Sequence, residues 1–442
     1  MLEIIDAFRV VGQFPVTRHT AKWTARSQIP ITGRWEYTSR NLFSGGCVRF
    51  WGLAQVIFLG LSGTLPVVAQ QQSAPELFPV ARDGKHGYID CTGHIAIPLD
   101  YDDAKGFQGG FATVNLGGKW GFLDTAGKLL FEPQFAETAG FFSEGFAAVR
   151  VGEKWGYADR SGKLVIEPQF DSAGQFSDGI APVERSGKYG YIGKDGQIVI
   201  PAEFDSARPF SGGLGIVKRA GRYGYINKDG QLVTPIEFEH ASGFSEGLAV
   251  VQVDEKFGFL DPPRGQLVIP AQFFFVDLGG FSEGLVEVIT ANYELHYIDK
   301  SGKTVLNFGD DWRRNSLNPL TRFSVLGGWP RFSEGLATVP KGDLWGFIDH
   351  SGKFVIEPRY ASAQYFMNGL AAVCVIKKKG RDHANIWGYV DKTGKMVIPA
   401  QFESAGWFRG CLADVEMGDK TGYVDRRGKI VWEAPKPPKP KH

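Results

Sequence analysis

The chain of 442 residues has little cysteine and methionine, and no excess of charge of either sign. Four cysteines without a Cys-x-x-Cys pair are too few for a disulfide scaffold of this length. With 49 basic and 48 acidic residues, no overall field attracts nucleic acid. The eight histidines lack metal-ligand spacing, and no phosphate-binding glycine loop occurs. We therefore expect no enzyme activity, no cofactor, no metal and no nucleic-acid partner.

Glycine and aromatic residues are abundant instead. The chain has 58 glycines, and 13% of its residues are aromatic, in a composition that is 43% hydrophobic. That balance is typical of a folded protein, and so much glycine without a triplet period indicates many tight turns. The length is about three times that of a common domain, so a single compact core is not expected.

An apolar run near the N-terminus predicts export. Residues 50–69 contain no charge, Arg49 precedes them, and Val67-Val68-Ala69 fits a signal cleavage site. A secretory signal and an uncleaved membrane tether both agree with this length. The positive flank stays in the cytoplasm in either case, so the rest is expected to be periplasmic, bound to the cell envelope or extracellular.

The predicted domain boundaries follow from this run. Residues 1–47 are an unassigned extension, and a signal of ordinary length would begin near Val48, so we hypothesise that translation starts there and that the extension is not translated. The remaining boundaries are a signal or anchor at 48–69, a linker at 70–76, a repeat array at 77–433 and a Pro/Lys tail at 434–442.

Three cysteines lie in the exported part. They are Cys91, Cys374 and Cys411. A Cys374–Cys411 bridge is one alternative, and unpaired buried thiols are the other, which we expect from so few cysteines in so long a chain.

A glycine that usually lies between two aromatic residues recurs along the chain. The early copies are 34 or 35 residues apart, a period typical of repeat architectures. The central residues are Gly87, Gly121, Gly156, Gly190, Gly224, Gly258, His296 in a degenerate copy, Gly346, Gly388 and Gly422.

Each unit predicts a three-stranded meander. In the third unit, 146–151, 155–159 and 164–166 form strands, and Pro168 ends the last one. The Asp-x-x-Gly turn before the third strand has a mechanism, because Asp159 accepts main-chain bonds and Gly162 supplies a positive φ.

One meander cannot fold alone, because ordering about 34 residues costs on the order of 50 kcal/mol of conformational entropy. Alternating side chains in the second strand point to both faces, and the third strand is apolar throughout, so we expect both faces to be covered by neighbouring copies. The glycine between aromatics is expected to allow close approach of a ring or of main chain. The sequence thus predicts an all-β stack of repeats.

The repeated pattern Lys-Trp-Gly-Phe/Tyr, followed by Asp-x-x-Gly-Lys and Phe-Ser-Glu-Gly-Leu-Ala, resembles that of the WG-repeat family of bacterial proteins. The resemblance covers residues 77–433 and implies a β-rich interaction scaffold without a common catalytic activity or cofactor. We expect about ten three-stranded meanders stacked as an open curved solenoid, with a propeller-like ring as the alternative, because ten blades exceed the usual four to eight.

Two recurring polar positions are candidate sites. Gly-x-Ser-x-Gly occurs around Ser245 and Ser282, but the tetrapeptide Phe-Ser-Glu-Gly recurs in other units, which favours a structural turn over a nucleophile. The carboxylates at this turn form a ladder that we interpret as solvated connector residues rather than a cation site. They are Glu144, Asp178, Glu246, Glu283 and Glu334.

Two insertions interrupt the period and are the candidate partner-binding site, because loops inserted in repeats often make the functional contacts. Tryptophan with arginine is typical of binding hot spots. The candidate residues are Asp310, Asp311, Trp312, Arg313, Arg314, Arg322, Trp329, Lys377, Lys378 and Lys379. We hypothesise an exported, non-catalytic scaffold that binds a protein or an anionic envelope polymer. The alternatives are a carbohydrate- or wall-binding accessory domain of an envelope hydrolase system, or a hydrolase that uses the 296–346 insertion.

Overall fold

The fold is all-β in a computed structural model that describes residues 76–309, 331–379 and 382–436, without the side chains of 377–383. The described part contains 37 strands and one short 3-10 turn, Pro262–Arg264. None of its helices is long and apolar enough to cross a membrane. The predicted extension at 1–47, the signal at 48–69 and the linker at 70–76 lie outside the described residues, except for Glu76.

The strands form ten small antiparallel sheets, called blades 1 to 10 in chain order. The first five blades are blade 1, β1 Phe78–Arg82, β2 Lys85–Ile89 and β3 Ile95–Tyr101; blade 2, β4 Asp103–Ala104, β5 Phe111–Leu116 and β6 Lys119–Asp124; blade 3, β7 Glu137–Thr138, β8 Ala147–Val151, β9 Lys154–Ala158 and β10 Leu164–Phe170; blade 4, β11 Ser172–Ala173, β12 Ile180–Arg185, β13 Lys188–Gly193 and β14 Ile198–Phe204; and blade 5, β15 Ser206–Ala207, β16 Leu214–Arg219 and β17 Arg222–Asn227.

The second half of the chain repeats the pattern. These blades are blade 6, β18 His240–Ser245, β19 Leu248–Val253, β20 Lys256–Asp261 and β21 Gln266–Phe273; blade 7, β22 Phe275–Val276, β23 Leu285–Ile289, β24 Leu295–Asp299 and β25 Thr304–Asn307; blade 8, β26 Phe332–Ser333, β27 Leu336–Lys341, β28 Leu344–Ile348 and β29 Phe354–Tyr360; blade 9, β30 Ser362–Ala363, β31 Leu370–Lys379, β32 Asp382–Asp391 and β33 Met396–Phe402; and blade 10, β34 Ser404–Ala405, β35 Leu412–Met417, β36 Lys420–Asp425 and β37 Ile430–Pro435.

Each regular blade is the predicted meander plus one short strand from the connector. In blade 4 the meander is β12–β13–β14, and the two-residue β11 pairs with β12 through Ala173 and Val183. The connector was expected only to carry the chain onward, but it also contributes this extra strand. In blades 2 and 5 the third strand is reduced to isolated bridges, such as Trp120 with Phe135.

The Asp-x-x-Gly turn has the predicted mechanism. The Asp159 carboxylate accepts hydrogen bonds from the main-chain N–H groups of Ser161 and Lys163, at 2.8 and 3.2 Å. Gly162 has a φ of +80°, a conformation that residues with a Cβ rarely adopt. The Asp159 carboxylate therefore gives the Ser161 and Lys163 amides a partner before the third strand begins.

The glycine between the aromatics is where main chain approaches closely. A Cβ on Gly190 would lie 2.5 Å from the Ile200 carbonyl oxygen, and one on Gly346 would lie 2.5 Å from that of Ile356. The close neighbour is the bulged third strand of the same blade. The expected close approach is thus confirmed, with main chain as the partner.

Replacing Gly190 by alanine is expected to lower the free energy of unfolding by about 2–3 kcal/mol, because the methyl group has no space beside fixed main chain. Gly243→Ala is the matched control, since a Cβ at that position meets nothing within 4 Å. Urea unfolding of both variants measures the difference. Equal stabilities would contradict this role for the glycine.

Both faces of a meander contact neighbouring blades, as predicted. On β6, Phe122 packs with blade 3 while the adjacent Leu123 packs with blade 1. The apolar core is divided into ten clusters that lie between neighbouring blades.

The expectation that the third strand is covered on both sides was wrong for its middle residue. Its side chain points away from the buried residue that follows it, so valines there are 40–46% exposed. They are Val165, Val199, Val268, Val305 and Val355.

The ten blades close into a ring, a ten-bladed β-propeller, so the alternative arrangement is the one found and the favoured open solenoid is wrong. The turn glycine of each blade abuts the third strand of the blade before it, as Gly196 does Ile166. Gly93 of blade 1 abuts the Val431 main chain of blade 10 in the same way. The ring closes because Leu412 and Trp432 of blade 10 pack in one apolar cluster with residues of blade 1.

A disulfide joins the first blade to the last. Cys91 is bonded to Cys411 across 320 residues of sequence, and Cys374 is a buried free thiol. The expectation of unpaired buried thiols holds for Cys374 but was wrong for Cys91 and Cys411, and the alternative Cys374–Cys411 bridge was wrong. The pairing depends on ring closure, because closure alone brings these distant residues together.

Candidate functional site

The candidate partner-binding residues fall in two places. Those of the first insertion lie outside the described residues; they are Asp310, Asp311, Trp312, Arg313, Arg314, Arg322 and Trp329. Lys377, Lys378 and Lys379 are the last three residues of strand β31.

The second insertion forms a two-stranded ribbon. Strands β31 and β32 have ten residues each, whereas their counterparts in blade 10 have six. Their pairing continues from Leu370 with Asp391 to Lys379 with Asp382. Four extra residues per strand extend the hairpin by about 13 Å. Ile376 on this ribbon is 54% exposed, more than any other large apolar side chain in the described part.

Both insertions begin at the same end of the ring. We call it the hairpin end because the turn between the first and second strands of each meander lies there. Asp171 directly follows the third strand of blade 3, and its carboxylate accepts a hydrogen bond from the Ser186 amide in the hairpin of blade 4, at 2.7 Å. The first insertion follows a third strand, β25, and the ribbon is itself a hairpin. Their attachment points therefore share one end.

The carboxylates of the ladder were expected to be solvated connector residues. They instead make a series of contacts between neighbouring blades. Both Glu144 oxygens accept a hydrogen bond from the Gly179 amide of the next blade at 3.2 Å. Lys194 of that blade lies 3.0 Å from Glu144. Partial burial acts to raise the pKa of Glu144, but these hydrogen bonds lower it overall. The same acceptor role is held by Asp178, Glu246, Glu283 and Glu334.

The lysine that precedes the aromatic residue and the central glycine also takes part in contacts between blades. Lys154 forms an ion pair with Asp171, which lowers the pKa of that carboxyl together with the Ser186 amide. One aspartate thus joins a lysine of its own blade to the hairpin of the next. Lys188 and Asp205 repeat the arrangement at 2.5 Å.

The two serines of the Gly-x-Ser-x-Gly matches bond to neighbouring blades. The Ser245 hydroxyl donates to the Phe281 carbonyl, and the Ser282 hydroxyl donates to that of Phe332 at 2.7 Å. Ser245 lies on β18, a strand rather than the strand–helix elbow that the nucleophile motif requires. These contacts favour the structural interpretation of both serines.

Blade 7 contains two buried acids that sequence reasoning missed. Glu287 is 2% exposed, and within the described part its carboxylate oxygens have no hydrogen-bond partner. Burial, and secondarily Asp277, raises the pKa of Glu287 well above its ordinary value. Burial also raises the pKa of Asp277, although the Gly279 amide and Arg331 act to lower it. Other blades carry Val250 or Ala148 where blade 7 has Glu287, which was the available signal.

Replacing Glu287 by valine is expected to raise the free energy of unfolding at pH 7 by about 1–3 kcal/mol, because an unsatisfied buried polar group is removed. The raised pKa in the folded state makes wild-type stability highest below the ordinary value of 4.5, and stability is lost as the pH rises through the folded-state pKa. Denaturant unfolding from pH 4 upward is expected to show a smaller decline in the variant. Glu167→Val, at an exposed strand position, is the control, and equal pH profiles for wild type and Glu287→Val would contradict the prediction.

Among the described residues, one group has potential metal-ligand atoms close together: Glu76, Cys91 and Cys411. The two sulfurs are joined in the disulfide, so they are not thiolate ligands. The Glu76 carboxylate instead accepts a hydrogen bond from the Cys411 amide at 3.0 Å. This group closes the ring.

The solved structures that this chain matches are distant in sequence. BamB from Moraxella catarrhalis is 10% identical over 66% of this chain and 94% of that chain, with a TM-score of 0.33. A eukaryotic initiation factor is 12% identical over 74% and 96%, with a TM-score of 0.45. The dihydro-heme d1 dehydrogenase NirN is 14% identical over 64% and 71%, with a TM-score of 0.35. No curated protein matches the sequence.

The repeat unit itself matches a family profile described as the WG containing repeat. There are seven matches, and each runs from the second meander strand of one blade into the next blade; they cover residues 87–120, 120–155, 155–189, 189–223, 223–257, 345–378 and 387–420. The degenerate blade 7, where His296 replaces the central glycine, lies outside them. Because these matches cover more than half of the chain and coincide with the structural period, the protein belongs to the WG-repeat family.

Proposed function

We propose that this protein is an exported, non-catalytic scaffold of the cell envelope that binds a protein or an anionic envelope polymer at the hairpin end of its ring. The β31–β32 ribbon is the observation that carries the binding role. The charge of Lys377, Lys378 and Lys379 at its tip favours an acidic partner.

The ribbon has no role in holding the ring together that the other blades require. Nine blades form their hairpins without it, and Ile376 is more than half exposed at its base. An exposed apolar side chain beside three lysines combines a desolvated contact with electrostatic attraction, as in many binding surfaces.

Two observations support export. The apolar run at 50–69 fits a secretory signal or a tether, and the Cys91–Cys411 disulfide fits an oxidising compartment. A reducing cytosol would keep both thiols free. The periplasm, the cell envelope and the extracellular space all meet this condition.

The test compares capture from envelope extracts by the full exported chain and by a trimmed variant. In the variant, Ile376–Asn385 is replaced by Ser-Gly, the turn that joins β12 to β13 in blade 4. We expect capture to fall about tenfold or more while the unfolding transition is unchanged. Undiminished capture by the trimmed variant would contradict the proposed site.

Two further variants separate the kinds of partner. Changing Lys377, Lys378 and Lys379 to alanine keeps the ribbon and removes the charge of these residues. If the partner is a polyanion, its binding to the wild type is expected to depend strongly on salt, and the variant is expected not to bind it. Changing Trp312, Arg313 and Arg314 to alanine tests the first insertion. Turnover of generic ester or glycoside substrates that is lost on Ser245→Ala would contradict the non-catalytic proposal.

A further inference from the structure

Nine of the ten blade interfaces are filled by the same inserted side chain. In blades 2 to 10 a phenylalanine of the connector packs against the aromatic residue that directly follows the central residue of the preceding blade, with ring centroids 4.5–5.8 Å apart. The inserted residues are Phe107, Phe142, Phe176, Phe210, Phe244, Phe281, Phe332, Phe366 and Phe408.

A short strand accompanies this phenylalanine. Ala173 of β11 pairs with the first strand of blade 4, and Phe176 follows three residues later. The Tyr157 hydroxyl of blade 3 donates to the Gly174 carbonyl at 2.8 Å, directly after that strand. Main-chain pairing, one tyrosine hydrogen bond and one inserted ring therefore seal the interface together.

The tenth interface, between blades 10 and 1, lacks these parts in the described residues. Within residues 76–436 as described, strand β1 pairs only with β2, whereas the first meander strand of every other blade also pairs with a short strand. The repeat register places Ser73 where the other blades have phenylalanine. Tyr423 of blade 10 donates instead to the Pro79 carbonyl at 3.0 Å, and its ring contacts Phe78 at 5.6 Å.

Two cavities flank the open edge of β1. Their volumes are about 440 and 460 Å³, and Pro79, Asp414 and Tyr423 line both of them. Asp414 lies directly across from Tyr423 on the same face of blade 10. Its counterparts, such as Ala372 and Thr338, are buried by the next blade, but Asp414 is exposed.

We propose that the interface between blades 10 and 1, which we call the seam, is a binding slot for a segment of another polypeptide. That segment is extended and carries an aromatic side chain. The peptide adds a short antiparallel strand to β1 and inserts its aromatic ring beside Tyr423. The nine internal interfaces define this occupant, because each is already filled by a segment such as Ala-x-x-Phe at Ala173–Phe176. Exposed Asp414 favours a basic residue in the peptide.

The chain's own residues in repeat register with the inserted segments do not provide such an occupant. The sequence from Gln70 to Pro75 is Gln-Gln-Gln-Ser-Ala-Pro, which contains no aromatic and no basic residue. We therefore assign the ring and the charge to a partner. This slot does not rest on the β31–β32 ribbon, so either site can fail without the other.

The probe is a capped synthetic peptide with the sequence of residues 204–212, which contains Ala207, Arg208 and Phe210. Calorimetric titration into the full oxidised chain is expected to show binding. Binding should weaken about tenfold or more when alanine replaces the peptide's Phe210, its inserted aromatic residue, because that ring provides most of the buried apolar area. Tyr423→Leu is expected to give the same loss, while Tyr423→Phe keeps the ring and retains binding.

A photo-reactive benzoylphenylalanine at the peptide's aromatic position gives a second readout that does not need a variant. Cross-links to the strands that carry Leu412 and Tyr423 support the slot, and cross-links elsewhere overturn it. Equal affinity for the phenylalanine and alanine peptides also overturns it. So does an absence of binding, including the case in which residues 70–75 fill the slot in cis.

Discussion

Serine in place of Cys91 is expected to lower the free energy of unfolding by about 5 kcal/mol. The disulfide spans 320 residues, and a cross-link that closes so long a loop strongly restricts the unfolded chain. The interface it crosses also has the smallest apolar cluster of the ring, with five buried residues, so little else holds it closed. Denaturant unfolding of the variant, and of the wild type with and without reductant, measures the effect.

Cys374→Ser provides the control for thiol chemistry. Cys374 is buried but unbonded, so this change removes no cross-link and should leave the response to reductant unchanged. Cys91→Ser, in contrast, should be insensitive to reductant, because its cross-link is already absent. A Cys91→Ser variant as stable as the oxidised wild type would show that packing alone closes the ring.

The repeat and its strands could be predicted because every unit restates the same local chemistry. Gly162 and Asp159 specify a turn wherever they recur, and the residues around Gly190 specify a strand pressed against main chain. Closure could not be predicted this way. It requires a mean rotation of about 36° per blade, which is set by side-chain packing between blades rather than by any local pattern. The Cys91–Cys411 pair was therefore missed with it.

The roles of the recurring polar residues were harder to predict for a similar reason. Glu144 has a φ of +52°, and this unusual turn directs its carboxylate onto the Gly179 amide of the next blade. Spacing along the chain does not show that contact, because Glu144 and Lys194 are 50 residues apart. The seam did leave a signal, since Ser73 replaces the phenylalanine that every later unit carries.

Removing one inserted ring is expected to be nearly as damaging as opening the disulfide. Phe210 is 1% exposed and packs edge-on against Tyr191 of the preceding blade at 4.9 Å. Phe210→Ala should lower the free energy of unfolding by about 3–5 kcal/mol, since the cavity lies between two blades that are already fixed by their other contacts. Val199→Ala is the control, because that side chain is 46% exposed and should cost no more than about 0.5 kcal/mol.

The stability lost in Phe210→Ala can also be compared with that lost at the interface between blades 10 and 1. Blades stabilise one another through their interfaces, so an emptied internal interface has no covalent bond to hold it, whereas the tenth has Cys91–Cys411. We therefore expect a double variant, Phe210→Ala with Cys91→Ser, to lose more stability than the two single changes added together, because the ring then has two open interfaces and separates into two arcs. Strictly additive losses would mean that the blades unfold independently of ring closure.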